Sequence, residues 1–129
     1  MSDPVEVVRR FSDAYARADW AAAWELQSPD AELVLPASHP EAGTYRGREE
    51  ISAYFRRWLG TWAEYQWTLD RVVAEADRVA VLAHERGRGK GSGARTEVDP
   101  GIVYTVRDGV VVRTEIYMTW DEALAALSR

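Results

Sequence analysis

The chain contains no cysteine among its 129 residues. That excludes a disulfide frame, a thiolate zinc site and a cysteine nucleophile. Histidine is nearly absent too, with only His39 and His84. Two isolated imidazoles without His-x-His or H-E-x-x-H spacing predict no metal site. Apolar runs long enough to span a bilayer, about 18 residues, are missing. So is an N-terminal apolar stretch of the signal-peptide kind. A cytoplasmic protein without a membrane partner is therefore expected. Basic charge is in deficit: 16 Lys and Arg stand against 21 Asp and Glu, a net charge of −5. This argues against a nucleic-acid partner, which needs a basic footprint. The local cluster Arg86, Arg88, Lys90 and Arg95 is read as a solvated strand end. Gly89-Lys90-Gly91-Ser92 lacks phosphate-loop spacing and leads into no helix.

Aromatic residues are abundant, with six Trp and six Tyr, and 47% of the chain is hydrophobic. That is enough material for a core, and the length fits one domain over 1–129. Asp3-Pro4-Val5-Glu6 is a helix start, with a cap, a proline at the first helical position and a glutamate that can reach back. Val8, Phe11, Tyr15 and Ala18 continue at helical spacing. Asp19 caps a second short helix, Trp20 to Gln27, which Ser28-Pro29-Asp30 ends. Glu32 to Leu35 reads as a strand, and 36–47 as a loop. A third helix runs from Arg48 to Gly60, with Ile51, Tyr54, Phe55, Trp58 and Leu59 on one stripe. Strands follow: Trp62 to Val73, Arg78 to Arg88, Ala94 to Arg107 and Val110 to Met118. Thr119-Trp120-Asp121-Glu122 opens a final helix as a capping box. Helices first and antiparallel strands after predict an α+β fold with helices packed on a curved sheet.

Asp108-Gly109 between alternating apolar runs predicts a type I′ hairpin. With Arg107 opposite Val110, an unbroken ladder places Tyr104 opposite Arg113 and Ile102 opposite Glu115. One face then carries Ile102, Tyr104, Val106, Val111, Arg113, Glu115 and Tyr117. The other carries Val103, Thr105, Val112, Thr114 and Ile116. The mixed face suits a pocket wall, and the β-branched face suits a packing surface.

The order and spacing of several segments resemble a nuclear transport factor 2-like protein of the SnoaL-like type. They are Phe11 to Asp19, Ser28 to Pro36, Gly43 to Ile51, Gly87 to Gly93 and Val103 to Leu124. The resemblance implies a cone-shaped barrel whose helices and concave, mostly antiparallel sheet enclose a pocket. It also implies a homodimer through the outer sheet face, with the β-branched positions as its surface. In ketosteroid isomerases of this superfamily a tyrosine and two aspartates do the work. Their positions match Phe11, Leu35 and Ile102, all apolar here, which disfavours steroid isomerase chemistry. The Asp-Arg-Asp set of limonene-epoxide hydrolases matches Arg88, Arg86 and Glu115, so one charge is inverted.

The candidates that remain are Glu115 as a base, with Arg86 and His84 tuning it. His84, Arg86 and Arg88 alternate and so share a strand face. A carboxylate held near an arginine stays ionised and can accept a proton, which a histidine can relay. The competing reading, which the commonness of structural ion pairs favours, is an Arg-Glu pair that orders the barrel mouth, with His84 simply hydrogen-bonded. Tyr104 and Tyr117 would position a ligand, and Ile102, Leu35, Phe11, Tyr15, Phe55 and Trp58 would line its pocket. His39 is either a lid residue or a solvated loop histidine. Trp58, Trp62 and Trp67 are either cavity wall or core. Two functions are open. One is a cofactor-independent isomerase, cyclase or hydrolase acting on a hydrophobic, ring- or carbonyl-bearing small molecule. The other is a binding protein without catalysis. Whether Glu115 and Arg86 face inward together decides between them.

Overall fold

The structure is a computed structural model and describes residues 3–129; the first two residues of the expected 1–129 domain lie outside the described residues. Helix α1 spans Pro4–Ala16 and α2 spans Trp20–Glu25. Strands β1 (Gln27–Leu35) and β2 (Gly43–Arg46) precede helix α3 (Gly47–Gly60). Five strands follow: β3 (Trp62–Glu75), β4 (Arg78–Gly89), β5 (Arg95–Val98), β6 (Gly101–Arg107) and β7 (Val110–Tyr117). Helix α4 (Trp120–Leu127) closes the order. The expected α+β arrangement is present, and the seven strands form one sheet in the order β2-β1-β7-β6-β4-β3, with β5 on β4. All pairings are antiparallel except β1 with β7. The sheet is curved and open: β2 and β3 do not pair with each other, so the barrel is not closed.

The caps are where the side chains call for them. Asp3 Oδ1 accepts from the Val5 amide at 2.9 Å, and Asp19 Oδ1 from the Ala22 amide at 3.2 Å. Thr119 Oγ1 accepts from the Glu122 amide at 3.1 Å and donates to Glu122 Oε1 at 3.1 Å, so the expected box forms in half: the glutamate reaches back to the Thr119 hydroxyl rather than to its amide. Most boundaries fall within two residues of expectation, and three differences are larger. Strand β1 begins at Gln27, because a register shift between Gln27 and Glu32 lets Pro29 sit within it without donating to the ladder. The 36–47 loop contains β2. The expected strand Ala94 to Arg107 is broken at Asp99-Pro100, where proline has no amide to give and its carbonyl instead accepts from Ala83 at 3.1 Å.

The hairpin forms on its predicted turn, with φ of 53° at Asp108 and 78° at Gly109. Arg107 pairs with Val110 and Val106 with Val111, as the turn dictates. The ladder then shifts by one. Thr105 pairs with Arg113, Tyr104 with Thr114, Val103 with Glu115 and Ile102 with Ile116. Val112 is the extra residue of a β-bulge. Because side chains alternate along a strand, one inserted residue moves every later one to the opposite face. The predicted faces are therefore correct for β6 and inverted for β7 beyond Val112.

The main core lies on the concave side. Val79, Val81 and Ala83 of β4 join Val7, Val8, Phe11, Ala14, Trp67, Ile102, Tyr104, Val106 and Val111. A second cluster joins β1 to α3 through Ala31, Leu33, Leu35, Ile51 and Tyr54. The convex side has its own small core, where α4 covers Ala80 and Val103 with Ala123, Ala126 and Leu127.

Candidate functional site: a cavity with a buried carboxylate

Helices α1 and α3 hold the concave face of the sheet apart enough to leave a cavity of about 640 Å³. Its walls come from α1 (Phe11, Tyr15), α3 (Ile51, Tyr54, Phe55, Trp58) and the sheet (Leu33, Trp67, Ile102, Tyr104, Thr114, Ile116). The aromatic rings meet edge to face: Tyr15 with Trp67 at 5.5 Å between centroids, Tyr15 with Phe55 at 5.8 Å, and Phe11 with Tyr104 at 5.8 Å. Such contacts fix a rigid wall. The rim carries Glu97 to Pro100, where β5 breaks from β6, and Met118 to Trp120, which lead into α4. His39 also lines the cavity and is half-buried, so the 36–47 loop does reach the site.

Glu97 and Asp99 are exposed on the rim, and a third carboxylate, Glu85, is buried within the cavity. Glu85, on β4, is only 8% exposed, and its Oε2 has no hydrogen-bond partner in the protein. It pairs across the ladder with Trp67 and so lies on the inward face. Burial raises its pKa from the ordinary 4.5 to about 7, against the partial pull of the Tyr65 and Trp58 side chains as nearby donors. Desolvation penalises the charged form, which is the physical reason for the rise. Around it, Tyr15 and Tyr65 share a hydrogen bond at 3.0 Å. Burial raises the pKa of both, and that of Tyr104, so these hydroxyls stay neutral donors. A carboxyl poised near neutrality beside neutral donors can accept or give a proton without first leaving its favoured state.

The SnoaL-like domain model matches residues 8–114. The chain belongs to the SnoaL-like domain family. It is 31% identical over 119 residues to an uncharacterized protein of Mycobacterium tuberculosis, covering 88% of this chain and 87% of that one. An NTF2-like protein of Burkholderia thailandensis superposes with a TM-score of 0.83 at 28% identity, covering 100% of this chain and 99% of the other. TerC, co-crystallized with polyporic acid, superposes with a TM-score of 0.79 at 18% identity, covering 99% and 100%. Among the described residues, no helix of this SnoaL-like chain is long and apolar enough to cross a membrane.

Of the residues singled out in the sequence, Phe11, Tyr15, Phe55, Trp58, Ile102, Tyr104 and Tyr117 line the cavity. Leu35 does not: it is 2% exposed in the β1–α3 core, and Leu33, two residues earlier, is the wall residue instead. Glu115 is on the convex face, turned there by the Val112 bulge. Its Oε2 is 3.3 Å from Arg78 Nη2 and 3.6 Å from Arg113 Nε, and its Oε1 accepts from the Tyr117 hydroxyl at 2.6 Å. Arg78 continues to the α4 carbonyls, with Ala126 O at 2.9 Å. Glu115 thus belongs to a network that fastens α4 to the sheet. Tyr117 lines the cavity but commits its hydroxyl to Glu115, and that hydroxyl is pushed up to about 12 by burial and by the Glu115 carboxylate.

Arg86 and His84 also face outward. Arg86 Nε donates to Gln66 Oε1 at 2.7 Å, and Arg88 pairs with Glu64 at 2.6 Å. His84 Nδ1 is 2.5 Å from Asp99 Oδ1, and this contact is the main reason its pKa rises. Glu115 and Arg86 therefore do not face inward together. The β-branched face is corrected in the same way. Val103 lies under α4, while Thr114 and Ile116 look toward the cavity. The outer face instead bears a charged groove of about 900 Å³, including Glu32, Arg46, Arg78, Arg113 and Glu115.

The sequence reading missed Glu85 and Gln27. Both are buried polar residues on the cavity wall. For the metal question, Asp70, His84 and Asp99 bring ligand atoms within 4.8 Å of one another on the exposed side. This is the group among the described residues with such spacing, and its histidine is already engaged by Asp99.

Proposed function

We propose that this SnoaL-like protein binds a hydrophobic, ring-bearing small molecule in the concave cavity and performs acid-base chemistry on it with Glu85. The observation that carries this reading is the buried Glu85 carboxyl in an aromatic cavity, its Oε2 without a hydrogen-bond partner and its pKa raised to about 7. A group near the operating pH is best placed to take a proton and return it. The step that suits it is proton transfer at a carbon next to a carbonyl. The Glu85 carboxylate takes the proton, the C–H electron pair becomes a C=C bond as the C=O π pair moves onto the carbonyl oxygen, and the carboxylic acid then returns the proton to carbon as the carbonyl re-forms. The co-crystallized TerC supports the use of this fold for an organic ligand.

The test uses 2-tetralone in D2O, with exchange next to its carbonyl followed by proton NMR. Acceleration over buffer that disappears in Glu85→Gln is expected. A second reading, binding without catalysis, is favoured by Glu115 and Arg86 both facing away from the cavity, and by the apolar residues Phe11, Leu35 and Ile102 at the positions matched to isomerase catalytic groups. Saturable binding of the ketone with exchange no faster than in buffer would select it and sink the first.

A homodimer is part of the proposal, with the charged outer groove rather than a β-branched surface as its contact. Light scattering at micromolar concentration checks it, and a monomer contradicts it.

A further inference from the structure

Four buried side-chain atoms have no hydrogen-bond partner among the described residues: Ser12 Oγ, Gln27 Nε2, Trp62 Nε1 and Glu85 Oε2. Two of these residues, Gln27 and Glu85, line the same cavity. Gln27 is 3% exposed. Leaving a buried amide unpaired costs about 1–3 kcal/mol, so a structure that keeps one calls for a reason.

The backbone around Gln27 is fixed while its side chain is not engaged. Its carbonyl accepts from Arg48 Nη2 at 2.9 Å, it pairs with Val111 of β7, and the preceding carbonyl, Leu26 O, accepts from the Val111 amide at 2.7 Å. The strand ladder places Gln27 and Glu85 at opposite ends of the cavity. Gln27 pairs with Val111, which faces Val106 at the turn end of β6, whereas Glu85 lies four residues past Val81, the partner of Ile102 at the other end. A molecule that reaches both must therefore be elongated, with a polar group at each end. The wall between is apolar and aromatic: Phe11, Ile51, Tyr104 and Ile116.

We propose that Gln27 is a specificity-determining residue whose amide N–H donates to an acceptor oxygen at the far end of an elongated, ring-bearing ligand. The other end of that ligand lies at Glu85. The inference rests on Glu85 being the reacting end, as proposed above. It narrows the substrate class from any apolar ring compound to one with two polar termini, the remote one a carbonyl or other hydrogen-bond acceptor. A shorter ring compound with a single polar end reaches Glu85 but leaves Gln27 unpaired.

Isothermal titration calorimetry on the full chain with 2-naphthol and 6-acetyl-2-naphthol tests this. Gln27→Leu is expected to weaken 6-acetyl-2-naphthol about five- to tenfold, the worth of one neutral hydrogen bond. It leaves 2-naphthol unchanged. It also leaves the melting temperature unchanged or higher, because the amide it removes bonds to nothing in the protein. A glutamine serving only the fold would instead lower it. Should Gln27→Leu fail to fold, Gln27→Met carries the same comparison. Equal losses on both probes, no loss on the acetyl probe, or no binding of either probe overturns the inference. Failure of the Glu85 reading is separate: 2-tetralone exchange unaffected by Glu85→Gln, with the acetyl-specific loss at Gln27 intact.

Discussion

Trp67 and Glu85 are cross-strand partners on β3 and β4, side by side on the concave face. Trp67 is 7% exposed and Glu85 8%. This pairing takes water away from the Glu85 carboxyl, and desolvation is the leading cause of its raised pKa.

Stability should therefore fall as pH rises. The folded state holds the Glu85 proton up to about pH 7, whereas the unfolded chain releases it near 4.5. The unfolded state binds fewer protons between those values, so unfolding becomes easier across that window. The cost is fully avoided below about pH 4.5 and fully present above about pH 7. Its size is about 3 kcal/mol, from a shift of roughly two pH units and a half. Urea unfolding at pH 5 and pH 8 checks it. Glu85→Gln should match the wild type at the lower pH and exceed it at the higher. A variant no more stable at pH 8 contradicts the account.

Glu115 should behave as a structural residue. Glu115→Ala leaves Arg78 without its carboxylate, while Arg113 keeps Glu32 at 3.4 Å, and is expected to cost about 1–3 kcal/mol by thermal or urea unfolding. Affinity for 2-naphthol in the cavity should not change where the variant is folded. A selective loss of cavity binding, with stability unaffected, would return Glu115 to the site.

His84 should titrate above its ordinary 6.5, held up first by its hydrogen bond to Asp99. The stabilisation is complete below about pH 6.5 and is lost as pH rises through the folded value. Asp99→Asn should lower the His84 midpoint in an imidazole NMR titration. An unchanged midpoint would remove Asp99 as the cause.

Gly101 should resist substitution. A Cβ there would stand 2.6 Å from Ala123 Cβ and 2.6 Å from Thr119 O, where α4 crosses β6. Gly101→Ala is expected to cost about 1–3 kcal/mol by forcing the helix outward. A melting temperature equal to the wild type's would mean that α4 is free to move.

Much of the fold was legible because its signals are local. Asp3, Asp19 and Thr119 cap the helices they precede, and Asp108-Gly109 makes the turn it predicts. The site was less legible because two bulges decide which side chains enter it. Counted from the turn at Ala76-Asp77, Trp67 would face Arg86; the extra residue Asp70 moves it to Glu85. Val112 does the same on β7, exchanging Glu115 for Thr114 and Ile116. Neither bulge carries a glycine, and Asp70 alone, within a strand-like run, does not mark one. On β4, Val79 to Ala83 are all apolar, so alternation cannot name the inward face there. The clearer alternation is on β3, where Trp67 and Leu69 face in and Gln66 and Thr68 face out. With the bulge known, that pattern would have found Glu85.

The most direct measurement is the titration of the Glu85 side-chain carboxyl by carbon-13 NMR, assigned by comparison with Glu85→Gln. A midpoint near 7 is predicted. A midpoint near 4.5 would mean an ordinary, solvated glutamate, and would contradict its role as the proton-handling group of the cavity.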